Sequence, residues 1–368
     1  MEQLTLFEKQ KNNTDWKWWF KDYPTEKNGL TVFSFFSGGG GSTMGYKLAG
    51  CDVLGNCEID KTMNKVYVKN HNPKYNFEMD IRDFNNLPDT DIPKELFDLD
   101  ILDGSPPCTT FSMAGLREQT WGKEKKFREG QKKQVLDELS FIFIETAKKL
   151  KPKTVIMENV EGLLKGNAWK YVQRIYHDFN EIGYTVRHWL LKGEKMGVPQ
   201  RRHRCMFIAI RKDINFDIST LDLYFNYYPI KYGNIRCGKT DIESVKHTKM
   251  FDIFTKAIQG EHCLEETYYR LTGIPNKYFS ESIVYDNEVL PTLVAGHHRY
   301  WTFEHKGAVP TEDWISSQTF PQDFDFCTDS YRGCTYILGM SVPPIMIKRV
   351  VDSLMEQGVY DYKLKKER

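Results

Sequence analysis

Thr31-Val32-Phe33-Ser34-Phe35-Phe36-Ser37-Gly38-Gly39-Gly40-Gly41-Ser42 is the stretch whose reading decides the fold. Its first six residues form an apolar, β-rich run that ends in turn residues, so they read as a buried strand. Gly38 to Gly41 make a turn, and Ser42 stands where it would cap a helix running to about Gly50. Strand, glycine turn and helix together are the layout of a nucleotide-cofactor site. Glycines let the backbone approach a ligand closely, and a helix N-terminus offers unbonded N–H groups. A phosphate cradle of the GxxxxGK[ST] type is excluded: Gly40 and Gly45 have its spacing, but Tyr46 occupies the lysine position. Gly38 and Gly40 give GxG, and the third glycine of GxGxxG falls on Thr43. An acid about 20 residues beyond such a loop accepts ribose hydroxyl protons, and Glu58 stands there. Asp80 is a second acid, able to accept from an adenine amine. A tight structural turn with two surface acids would leave the same trace.

Outward from this loop the rhythm is regular. Strands are expected over 52–58, 97–103, 154–157, 184–191 and 205–210, with helices over about 60–70, 134–150 and 169–182. The helix over 134–150 carries Leu139, Ile142, Phe143 and Ala147 at helical spacing. Alternating strands and helices argue for an α/β fold with a mostly parallel sheet. From about 212 to 286 the rhythm is lost, and a second, smaller domain is expected there. Pattern returns at Val289-Leu290-Pro291-Thr292-Leu293-Val294, and a last helix follows Pro343-Pro344. Residues 1–29 form a polar extension bearing Trp16, Trp18, Trp19 and Phe20, with no expected structure. The expected partition is thus 1–29, 30–211, 212–286 and 287–368.

The chain has 368 residues, 40% hydrophobic and 27% charged, which fits about two globular domains and rules out a disordered or fibrous chain. No apolar run is long enough to span a membrane. Net charge is +1, so any nucleic-acid binding needs local positive charge. That charge is present: residues 187–212 hold eight basic residues against one acid, and residues 117–133 hold seven against three. The eight cysteines include no CxxC pair, which excludes a zinc ribbon and a thioredoxin motif. The start of the chain lacks a signal-peptide pattern, so reduced thiols and a cytosolic compartment are expected.

Three further segments sit at expected strand ends. Gly104-Ser105-Pro106-Pro107-Cys108-Thr109-Thr110-Phe111-Ser112 follows a parallel strand, where α/β sheets bind ligands. Its prolines stiffen the backbone around Cys108, a candidate nucleophile that could equally be a small buried hydrophobe. Met157-Glu158-Asn159-Val160 ends the next strand, and a desolvated Glu158 carboxyl suits a general acid. Gln200-Arg201-Arg202-His203-Arg204 precedes a strand, and alternation places Arg202 and Arg204 on one face. A solvated basic cluster is the plainer account of those arginines.

In order and spacing these segments resemble the cytosine-C5 DNA methyltransferases. Phe36-Ser37-Gly38-Gly39-Gly40 looks like the family's FxGxG loop, Pro107-Cys108 its Pro-Cys nucleophile, and Glu158-Asn159-Val160 its ENV segment. Gln200, Arg202 and Arg204 match QxRxR; Ser317-Gln318-Thr319-Phe320-Pro321 resembles LQGFP; Gly339-Met340-Ser341-Val342-Pro343 resembles GNSVP. The resemblance covers about 31–211 and 289–357. It implies a Rossmann-like S-adenosylmethionine-dependent methyltransferase fold with a small target-recognition domain over 212–286.

The resemblance also implies roles. Cys108 would add to C6 of a flipped cytosine, making C5 nucleophilic toward the methyl group of S-adenosylmethionine, with S-adenosylhomocysteine as product. Glu158 would serve N3, and Arg202 and Arg204 would hold the base carbonyl, Arg204 being the better match to the catalytic arginine. Phe36, Gly38, Gly40, Glu58, Ile59, Asp80, Ile81, Pro107, Met340 and Val342 would line the cofactor. Pro107, Ser112, Asn159, Gln200, Lys231 and Arg236 would meet the DNA. Residues 117–133 look like the mobile loop that closes over the flipped base. No metal is implied. The implied setting is a monomer on double-stranded DNA in the cytoplasm of a bacterial or phage-infected cell, with a cognate restriction enzyme as partner. A tRNA cytosine-C5 methyltransferase and an inactive DNA-binding relative are the alternatives. The tRNA-acting relatives carry Cys-Phe-Thr in the insert, and residues 212–286 lack it. Three positions depart from the pattern. Ser34 replaces the acid before the glycine loop, Pro310-Thr311-Glu312-Asp313 replaces a stretch with a supporting arginine, and Met340 replaces an asparagine.

Overall fold

A computed structural model of the protein describes residues 15–107, 138–296 and 299–364. The chain divides into two compact units. One comprises Asp22–Lys192, His203–Tyr224 and Met346–Arg368; the other comprises Met1–Lys21, Gly193–Arg202 and Phe225–Ile345.

The first unit is built on a seven-stranded sheet of β1 (Thr31–Phe35), β2 (Asp52–Cys57), β3 (Tyr75–Phe77), β4 (Ile101–Gly104), β5 (Thr154–Val160), β6 (Tyr184–Lys192) and β8 (His203–Arg211); β7 (Gln200–Arg201) belongs to the other unit. The order across the sheet is β3-β2-β1-β4-β5-β8-β6. From β3 to β5 every neighbouring pair is parallel, and β8 runs antiparallel to both β5 and β6. Parallel strands buried on both faces read as unbroken apolar runs. β4 and most of β1 and β5 are buried accordingly. The core beneath them is aromatic: Phe84 packs 5.0 Å from Phe35 and 5.0 Å from Phe77, both edge-on. Around the sheet lie α1 (Gly41–Leu48), α2 (Lys61–His71), α3 (Ile81–Asn86), α4 (Leu139–Leu150) and α5 (Trp169–Glu181). α5 buries Val172, Ile175 and Phe179, one stripe at helical spacing. The strand order reverses between β1 and β4, and at such a switch point α/β sheets open a crevice beyond the strand ends.

Several expectations are corrected. Gly40, not Ser42, caps α1; it is left-handed (φ 92°) and makes no side-chain cap bond, and Ser42 lies inside the helix. The four-glycine turn closes earlier than a serine cap would, because Gly40 takes a conformation that other residues resist. The strand expected over 97–103 is shorter, since a 3-10 turn occupies Lys94–Asp98. The three-residue β3 was not anticipated. Arg202 and Arg204 do not share a strand face: Arg202 falls in the break between β7 and β8, where alternation does not apply.

The second unit contains α6 (Tyr232–Ile235), α7 (Lys249–Phe254), α8 (Leu264–Thr272), α9 (Thr311–Ser317) and α10 (Tyr331–Met340). Its small sheet orders β12 (Gly307–Ala308), β11 (Tyr300–Thr302) and β9 (Ser282–Val284), and β10 (Leu290–Pro291) pairs in parallel with β7. Trp301 stacks on Phe254 with ring centres 5.0 Å apart at the heart of this core. Trp18, from the stretch expected to be unstructured, is buried here and its indole N–H donates to the Thr319 carbonyl at 2.8 Å. Among the described residues no helix is long and apolar enough to cross a membrane.

Gly55 sits where β2 pairs with β3, opposite Tyr75. A Cβ there would fall on the Tyr75 carbonyl, a backbone group that cannot swing aside. Gly55→Ala is therefore expected to lower stability by about 1–3 kcal/mol, read as a shifted urea midpoint.

Candidate active site

The carboxyl ends of β1, β2, β4 and β5 bring four of the sequence-predicted segments to one edge of the first unit's sheet. Beyond β1 the chain turns at Phe36, which is itself left-handed (φ 54°), and its N–H donates to the Cys57 carbonyl at 3.0 Å. Gly38 follows at φ 50°. Glu58, at the end of β2, is buried, and its two oxygens are divided between neighbours. Oε2 accepts from the Gly38 N–H and Oε1 from the Asp60 N–H, each at 2.8 Å. Burial pushes the Glu58 carboxyl up to about 7, against those two N–H donors, which favour its charged form.

The residues fit an adenosyl group. A Cβ built on Gly38 meets nothing within 4 Å, so the turn is open on that side. Ile59 is 39% exposed beside Glu58, an apolar surface next to an acceptor for hydroxyl protons. Asp80 is partly engaged already: it caps α3, accepting from the Arg82 N–H at 2.8 Å and pairing with the Arg82 guanidinium at 2.9 Å. Ile81 is buried. Among the described residues no cluster of three His, Cys, Asp or Glu is placed to hold a metal.

Ser34, the departure from the acid, donates from Oγ to Asp103 Oδ2 at 2.5 Å. The two are register partners on β1 and β4. The Tyr46 hydroxyl donates to the other oxygen of Asp103 at 3.0 Å. Burial raises the Asp103 carboxyl to about 7, offset by these two hydrogen bonds.

Across the edge, Glu158 on β5 is buried and paired with Arg204 on β8, Nε to Oε1 at 2.6 Å. Arg204 also donates to its neighbour's carbonyl, His203 O, at 2.7 Å. Burial pulls the guanidinium below its ordinary value, and the Glu158 charge pulls it back. Asn159 turns inward; its side-chain N–H reaches the Pro106 carbonyl at 3.4 Å, tying the end of β5 to the loop after β4. Pro107 is half-buried at the end of the described part of that loop. Cys108, Ser112 and the basic stretch 117–133 lie outside the described residues.

Other candidates belong to the second unit. Gln200 is fully buried, donating to Ser317 and Gln318 side chains and accepting from the Leu293 N–H at 3.1 Å. Arg202, 2% exposed, donates to the carbonyls of Leu293, Gly339 and Ser341 at 3.3, 2.8 and 2.8 Å. Gln318 donates to the Leu338 and Ser341 carbonyls at 2.8 and 2.7 Å. These contacts join three of the distant sequence segments by backbone recognition. Val342 is buried and Met340 is 39% exposed. Lys231 is exposed just before α6, whereas Arg236 packs inward, 3.9 Å from Asp286. Sequence reasoning missed Asp313, from the departing Pro310–Asp313 stretch. It is buried and accepts from the Tyr232 hydroxyl and the Cys237 N–H, each at 2.7 Å. An aspartate beside Glu312 in the first turn of a helix looks like an ordinary solvated acid and gave no signal of this role.

The profile of a family described as C-5 cytosine-specific DNA methylase matches residues 30–356. The type II methyltransferase M.FnuDI of Fusobacterium nucleatum is 31% identical over 245 residues, 66% of this chain and 64% of that protein, a little under two thirds of its length. The type II methyltransferase M.NgoFVII of Neisseria gonorrhoeae is 33% identical over 353 residues, 90% of this chain and 88% of that one. Among solved structures, a mutant of Spodoptera frugiperda DNMT2 aligns with a TM-score of 0.63 at 17% identity, over 89% of this chain and all of that one, a likeness of fold.

Two expectations follow from the geometry. Glu58 has a folded pKa (about 7) above its unfolded value (4.5), so its contribution to stability is full below about 4.5 and is lost as pH rises to about 7. Glu58→Gln should flatten that part of the stability–pH profile by on the order of 1 kcal/mol, measured by urea unfolding at both ends of the window. Arg202→Met should strand three carbonyls and lower stability by about 3 kcal/mol, visible as an earlier thermal transition.

Proposed function

We propose, from the premise that this chain belongs to the C-5 cytosine-specific DNA methylase family, that it methylates C5 of a cytosine flipped out of duplex DNA, with S-adenosylmethionine as methyl donor. The observation that carries the reading is the buried Glu158–Arg204 pair, 2.6 Å apart at the sheet edge where the Pro-Cys loop begins. S-Adenosylmethionine supplies an electrophilic methyl group held on a sulfonium. Glu58 would accept the ribose hydroxyls, Ile59 would cover one face of the adenine, and Asp80 would take its amine.

Cytosine C5 is a weak nucleophile until a thiolate adds to C6. In the proposal the Cys108 sulfur forms the C6–S bond, and the electron pair of the 5,6 double bond moves toward C5 as N3 gains a hydrogen bond or proton. Glu158 serves N3, and the Arg204 guanidinium, held by Glu158, stabilises the charge that gathers on O2 and N3. C5 would then take the methyl group as its bond to the sulfonium sulfur breaks, releasing S-adenosylhomocysteine; loss of the C5 proton to a base would expel the Cys108 thiolate and restore the double bond. Arg202, committed to three carbonyls, is assigned a supporting role, and Lys231 a contact to phosphate or base. The enzyme is proposed to act as a monomer on double-stranded DNA, beside a restriction enzyme of the same specificity.

Labelled S-adenosylmethionine should transfer its methyl group to unmethylated duplex DNA, with bisulfite sequencing locating the site. Cys108→Ser should abolish transfer. Arg204→Lys, which keeps the charge but not the planar fork, should lower kcat by about 100-fold or more with DNA affinity retained. Label confined to tRNA would reassign the substrate, and absence of label from both would make the chain an inactive relative.

A further inference from the structure

We infer that His71 is a positioning residue for the cofactor turn: its imidazole donates to the Gly39 carbonyl and fixes the Gly39–Gly40 peptide. The inference rests on the reading of that turn as the S-adenosylmethionine site. His71 is the last residue of α2, far from the loop in sequence and buried behind it. Its Nε2 lies 3.2 Å from Gly39 O. A carbonyl oxygen only accepts, so Nε2 carries the hydrogen. Burial, with the nearby Lys47 charge, drives the imidazole down to about 3, so it remains a neutral donor at any physiological pH.

The ring is itself held. Tyr67, one turn earlier on α2, packs edge-on at 4.7 Å. The Tyr67 hydroxyl meets Thr43 Oγ1 at 2.9 Å, in the first turn of α1. Lys47, further along α1, donates to the His71 carbonyl at 3.1 Å. The ring also fills the space a side chain at Gly40 would need: a Cβ there would fall on it. Gly40 must therefore be glycine twice over, for its left-handed backbone and for this contact. Glu58 grips the turn at the Gly38 N–H, and His71 grips it at the Gly39 carbonyl. The two anchors hold the turn at Gly38 and Gly39, and a Cβ on Gly38 would meet nothing within 4 Å. Losing the His71 bond frees the Gly39 carbonyl to rotate and spoils the preformed surface without touching the groups that act on the base.

The test is cofactor affinity against turnover. His71→Phe keeps the ring volume and removes the donor; His71→Gln places an amide N–H near the Nε2 position. Calorimetry with S-adenosylmethionine is expected to show about tenfold weaker binding for His71→Phe and recovery to within about threefold for His71→Gln. KM for the cofactor should follow the binding. Turnover at saturating cofactor and KM for DNA should stay within about twofold of wild type. Unchanged affinity in His71→Phe, or kcat and KM falling together with no rescue by glutamine, would overturn the inference. If the phenylalanine variant does not fold, His71→Gln and His71→Asn give the same contrast, because the shorter amide stops short of Gly39; equal affinities would overturn it. Failure of the wild-type protein to bind S-adenosylmethionine would instead overturn the reading of the site.

Discussion

The reversed direction of β8 is the constraint on which the candidate site depends. Parallel strands deliver their carboxyl ends to one side of the sheet, and β1, β2, β4 and β5 do so. A parallel strand next to β5 would bring its last residue there. Because β8 runs the other way, its beginning arrives instead, and Val160 pairs with Arg204. The arginine therefore meets the Glu158 carboxylate inside a buried sheet edge. Neither charge would survive such burial alone, since desolvating an unpaired ion costs several kcal/mol. In the proposed reaction the pair would supply a fixed donor array that need not reorganise when charge appears on a base.

Much of this was legible from local pattern. The β1 run, the four glycines and Glu58 carry their chemistry within a few dozen residues, and the fold that follows them is an α/β one. Strand direction was less legible, because apolar runs look alike whichever way a strand points. The sharing of a face by Arg202 and Arg204 failed for a related reason: alternation holds only within one strand, and the backbone changes partners at residue 202. Ser42 failed as a cap because glycine can close the turn with backbone alone. Trp18 looked like decoration on a polar tail and is core, since its partner carbonyl lies some three hundred residues away.

The second unit shows how a short motif can be structural. Arg202 and Gln318 donate to backbone carbonyls at 293 and 338–341, and Gln200 accepts from the Leu293 N–H while donating to the Ser317 and Gln318 side chains. Backbone carbonyls are recognised by geometry, and a guanidinium satisfies several at once. Motif order alone does not separate that duty from a direct role in the reaction. The partners of each side chain do.

Ser34 bears on how sequences of this kind are compared. Read down an alignment column, it is a lost acid. Read across the sheet, the paired residue on the next strand is Asp103, and its carboxylate takes the serine hydroxyl at 2.5 Å. The carboxyl group in this part of the sheet thus stands on β4, hydrogen-bonded to a side chain of β1. A search that asks only for an acid on β1 would therefore pass over the carboxyl group that stands beside it on β4.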